Sequence, residues 1–89
     1  MQIESDNDFT ELRKQFLVWR KRFPMFTHDV HQIEKIIDLH IQQHSKIMVM
    51  YRQTHSKSYL EKAQLEIDSI NRTLATVEKL ELMSLLSRR

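Results

Sequence analysis

The run Tyr51-Arg52-Gln53-Thr54-His55-Ser56-Lys57-Ser58-Tyr59-Leu60-Glu61 decides how this chain folds. Long amphipathic segments flank it, so it either joins them into one helix or turns the chain back on itself. Neither Gly nor Pro interrupts it. A single helix from residue 28 to residue 86 would span about 88 Å at 1.5 Å per residue. Two features favour a turn at residues 54–58. Ser58-Tyr59-Leu60-Glu61 has the form of a capping box, in which the Ser58 hydroxyl accepts the Glu61 N–H and the Glu61 carboxylate returns to Ser58. The apolar rows on the two sides also fail to register. Val30, Ile37, His44 and Tyr51, carried forward in sevens, meet Ser58, Leu65 and Arg72, whereas the apolar row beyond the run is Leu60, Ile67 and Leu74. That two-residue slip rotates the seam by about 200°, so a continuous helix would bury opposite faces in its two halves. The sequence therefore predicts a hairpin.

Before the turn, Val30, Ile33, Ile37, Ile41 and Met48 recur at helical steps and share an arc with Ile36, Ile47 and Tyr51, opposite Gln32, Glu34, Lys35, Gln42 and Ser45. After it, Leu60, Ala63, Ile67, Ile70, Leu74 and Val77 form a heptad-like seam. Ahead of both, Phe9, Leu12, Phe16, Trp19 and Phe23 make an aromatic stripe read as core. Pro24 ends that first helix, because the residue before a proline is pushed out of the α region. Thr27 is placed to cap the second, with Phe26 stapled onto it. Asp6 or Asn7 can cap the first, and residues 1–7 are polar and expected to fray. The predicted fold is all-α: a coiled-coil-like antiparallel hairpin with a shorter N-terminal helix on one end. It is a three-helix bundle or half of an oligomeric one, in a single domain over residues 1–89. The helices are expected at about 8–23, 28–53 and 59–86.

Composition bounds the function. The chain has 89 residues, no Gly, no Cys and one Pro. A formal net charge of +2 is too small to imply a polyanionic partner. No apolar run approaches the ~18 residues of a membrane span, and Met1-Gln2-Ile3-Glu4 is no signal peptide. A soluble intracellular protein, cytoplasmic or nuclear, is expected. Asn71-Arg72-Thr73 matches a glycosylation sequon but falls mid-helix and is read as chance. No serine is framed as a nucleophile, no Gly-rich loop can cradle phosphate, and no carboxylate pair lies in an apolar patch. Neither an enzyme nor a bound cofactor, metal or small-molecule substrate is expected.

Length mismatch supplies the functional expectation. Paired about the two turns, the first helix reaches no further than the level of Ile41. Ile47, Met48, Val49, Met50 and Tyr51 are apolar all round their helix, and Leu80, Leu82, Met83, Leu85 and Leu86 point in every direction at the other end. Two such collars ask for cover by a protein partner or a second copy, with Trp19, Phe23 and Phe26 as anchors. His40 and His44 lie four apart on the apolar arc, a spacing that can chelate zinc, but no third ligand or Cys accompanies them. They are candidates for a pH-sensitive interface. Arg13, Lys14, Arg20, Lys21 and Arg22 spread round the first helix and give no single basic face, and Lys35, Lys46, Arg52 and Lys57 hold the chain's basic excess, so a nucleic-acid-binding or regulatory protein using the first or second helix is the disfavoured alternative.

Overall fold

A computed structural model describes residues 1–87 of the chain, with side chains described through residue 86. The element order is a 3-10 turn at Asp6–Asp8, helix α1 at Phe9–Arg22, a second 3-10 turn at Pro24–Phe26, α2 at Thr27–Thr54 and α3 at Lys57–Ser87. No strand occurs among the described residues. α2 and α3 pack antiparallel along a rod of 55 × 18 × 17 Å, and α1 lies on one end of it.

The core is built from the predicted rows. α1 contributes Phe9, Leu12, Phe16 and Trp19, α2 contributes Val30, Ile33, Ile37 and Ile41, and α3 contributes Ile67, Ile70, Leu74, Val77 and Leu80. Phe16 and Trp19 meet edge to face at 5.0 Å, a geometry that suits the aromatic quadrupole. Arg13–Asp38 and Arg20–Glu34 tie α1 to α2, and Arg22–Glu81 ties it to α3. Two residues depart from the predicted rows: Ile36 is 45 % exposed and Leu60 is 41 % exposed.

The decisive turn is made by two residues. His55 adopts the left-handed conformation (φ 54, ψ 24) and its N–H reaches the Tyr51 carbonyl at 2.6 Å, closing α2. A non-glycine residue there carries a cost of about 1–2 kcal/mol. The Thr54 hydroxyl donates to the Met50 carbonyl at 2.9 Å and accepts the Ser56 N–H at 3.3 Å. α3 begins at Lys57, two residues earlier than expected. Ser58 is therefore inside the helix rather than its cap, and its hydroxyl meets that of Ser56 at 3.0 Å. Ser56 takes the preceding position, its carbonyl accepting the Tyr59 N–H at 3.1 Å.

The other corner also differs from the expectation. Pro24 does end α1, with Phe23 held at φ −120, ψ 62. However, Thr27 is the first residue of α2 and does not cap it; its hydroxyl donates back to the Pro24 carbonyl at 2.9 Å.

The N-terminal residues are not frayed. The Asp8 carboxylate, rather than Asp6 or Asn7, gathers the local backbone, accepting the N–H of Glu4 at 2.9 Å and of Ser5 at 3.4 Å. Ile3 is 1 % exposed and joins the core. Residues 1–5 form a strap laid on the hairpin and tied to α3 through Asn71.

Candidate functional site

α1 and the strap together set how much of the hairpin is covered. At the N-terminal end of α1 the Phe9 ring stands edge-on to His44, with centroids 5.2 Å apart. The strap crosses at the same level, where Glu4, Ser5 and Asp6 face His44, Ala63 and Ile67. Past that level α2 and α3 have only each other. The apolar side chains of the tip then divide by direction. Ile47, Met48 and Tyr51 are half-buried against the hairpin partner, while Val49 (47 % exposed), Met50 (41 %), Leu60 and Leu65 (62 %) face outward. Between the strap and the tip lies a groove of about 190 Å³, walled by Met48, Leu60, Ala63 and Ile67.

The tip also carries an excess of basic residues. Between residues 45 and 62, Lys46, Arg52, Lys57 and Lys62 stand against Glu61 alone. None of them enters an ion pair among the described residues, and the Lys62 ammonium instead sits 5.4 Å from the centre of the Tyr59 ring. The arginines of α1 are differently placed, since Arg13, Arg20 and Arg22 each face a carboxylate.

At the opposite end Leu82, Met83, Leu85 and Leu86 are 50–62 % exposed, and Leu80 turns into the core. Trp19 and Phe23, expected as anchors for a partner, are 6 % and 3 % exposed. Their rings complete this chain's own core and leave little surface for a partner. Phe26 is half-buried and packs on that core. Leu17, Val18 and Leu39 are exposed apolar residues outside both collars that the pattern did not single out. They fall off the main stripe of each helix, and periodicity weighs only the stripe.

The two histidines have separate roles. His40 Nδ1 lies 2.6 Å from Glu66 Oε2, joining α2 to α3 in a half-buried bond. His44 is buried, and that desolvation lowers its pKa below the usual 6.5, opposed by the nearby charges of Asp6 and Glu66. His55 is exposed at the turn and stands edge-on to Tyr51 at 5.8 Å. Among the described residues, no three His, Asp or Glu side chains are grouped to hold a metal ion.

The structure thus defines a small antiparallel helical bundle with apolar surface at both ends. No family model, curated protein or solved structure matches the chain. No described helix is long and apolar enough to cross a membrane.

Proposed function

We propose that this chain is a non-enzymatic helical protein–protein interaction module, a homodimer or a small subunit of a larger helical assembly. One observation carries the reading: the hairpin outruns α1, leaving Val49, Met50 and Leu60 outward-facing beyond the last cover. Apolar surface contributes roughly 25 cal/mol per Å² when buried, so a partner that covers this collar gains a strong driving force. A second copy crossing at this level would complete a four-helix bundle from chains already present. Ile47, Met48 and Tyr51 would form the floor of that contact, and Leu82, Met83, Leu85 and Leu86 offer a second surface for a larger assembly. The nucleic-acid alternative draws no support from α1, whose three paired arginines are partly neutralised by their carboxylates.

The test is sedimentation of the variant Val49→Glu with Met50→Glu. Both positions are exposed, so the substitutions disturb little within one chain. The parent is expected to associate with increasing concentration, and the variant to remain a helical monomer. A variant with the parent's mass at every concentration would remove the collar as an interface.

A further inference from the structure

Ile3 is held through its own peptide groups by one distant side chain. Its N–H donates to Asn71 Oδ1 and its carbonyl accepts from Asn71 Nδ2, both at 2.8 Å, across 68 residues of sequence. The N–H and C=O of a single residue point the same way only in extended backbone, where a neighbouring strand would normally pair with both. Here a carboxamide does the strand's work. Such a group reads main chain alone, and side-chain selection falls to the pocket that leaves Ile3 1 % exposed.

The strap has the marks of a bound peptide. Met1, Gln2 and Glu4 are exposed on either side of Ile3, which makes Ile3 its single apolar anchor. Its hydrogen bonds to α3 come from one residue, Asn71. Next to it, Glu4 and Ser5 border the groove that runs toward Met48 and Leu60.

We propose that Asn71 and the apolar pocket that buries Ile3 form a binding site for an extended peptide with one aliphatic anchor. The site is filled in cis by residues 1–5 of the chain and takes the same segment from a second copy. A cis strap and a trans strap present the same atoms to Asn71, so connectivity and concentration set the choice between them. The site stands apart from Val49 and Met50, and its test reads peptide binding rather than mass, so it succeeds or fails independently of the collar.

Ile3→Asp in the full chain places a carboxylate in the apolar pocket, unseats the strap and opens the site. A peptide of residues 1–8, labelled at its C-terminal end, is expected to bind this variant saturably. Binding to the wild-type chain, whose site is filled, should be at least tenfold weaker. Adding Asn71→Ala to the variant, or Ile3→Asp to the peptide, should weaken binding about tenfold or more, the factor expected for two hydrogen bonds of ordinary net strength. Equal binding to all the chains overturns the proposal. So does an absence of saturable binding to an Ile3→Asp chain that keeps wild-type helical circular dichroism. Ile3→Ala is a milder way of opening the same site. If both variants lose their helical signal, the strap belongs to the folding core and is no ligand, and the proposal fails.

Discussion

Asn71→Ala isolates the contribution of the strap to the stability of the bundle. The substitution removes two hydrogen bonds of 2.8 Å from a half-buried side chain and little else. Neutral hydrogen bonds contribute about 0.5–1.5 kcal/mol each, so a loss of about 1–3 kcal/mol is expected. Ile3→Ala leaves the amide pair in place but gives up part of a fully buried side chain, with an expected loss of about 2 kcal/mol. Both changes act on one short segment, so losing either hold loosens the other. The double variant should therefore lose no more than about 3 kcal/mol, with a coupling of about 1 kcal/mol between the two sites. Urea denaturation followed by circular dichroism measures all three. A small domain with ~5–10 kcal/mol of total stability remains folded in each. The m-value adds a second readout, since a native state with a loose strap exposes less new surface on unfolding and its m falls. Strictly additive losses, or an Asn71→Ala chain within about 0.5 kcal/mol of the parent, would refute the strap as a unit fixed by Asn71.

Lys57→Pro should be tolerated, because Lys57 opens α3 and proline suits the first helical position, whereas Ile67→Pro in the buried middle should cost ~3 kcal/mol or more. Equal damage in thermal melts would mean that the chain does not turn at 55–56. Stability should also depend on pH through His44, whose folded pKa lies below 6.5. The unfolded chain then binds the proton more readily. Stability is full above about pH 6.5 and declines as the pH falls below it toward the lowered folded value. Asp6 and Glu66 temper the effect, with His40 bonded to Glu66 from the same helix. Urea midpoints across this range should lose that decline in a His44→Gln chain, and an unchanged decline would assign it to other groups.

The helices and their partners were legible because each is fixed by many residues acting alike. The seam slip between Tyr51 and Leu60 gave the turn, and the stripe from Phe9 to Phe23 gave the covering helix. Both signals survive the loss of any one position. Features that rest on one or two side chains were misread. Ser58 and Thr27 looked like caps from their neighbours alone. In the fold, the left-handed His55 lets α3 start earlier, and Pro24 offers Thr27 a carbonyl instead. Trp19 and Phe23 were read both as core and as anchors, because aromatic anchors and aromatic core look the same until the third helix is placed. The strap was the least legible element. Met1 to Asn7 is polar apart from Met1 and Ile3, and the partner that orders it is a single asparagine whose sequence context suggested only a chance sequon.

The uneven charge of the rod bears on what can cover its tip. The ion pairs of α1 all lie where α1 meets the hairpin, while Lys46, Arg52, Lys57 and Lys62 surround the collar with Glu61 as the single local acid. Two tips meeting in a symmetric dimer bring these cations together, and like charges across an interface oppose association. The repulsion acts between exposed groups, so added salt screens it over a Debye length of about 8 Å at physiological ionic strength and less above that. The apolar part of the contact is not weakened by the same addition. Self-association through Val49 and Met50 should therefore tighten as salt is raised from low to moderate concentration, as read by sedimentation. A partner with an acidic rim would show the reverse, because screening then removes an attraction. A homodimer that loosens with salt would place its contact away from the basic tip, and the exposed leucines of α3, Leu82, Leu85 and Leu86, are the surface to which it would move.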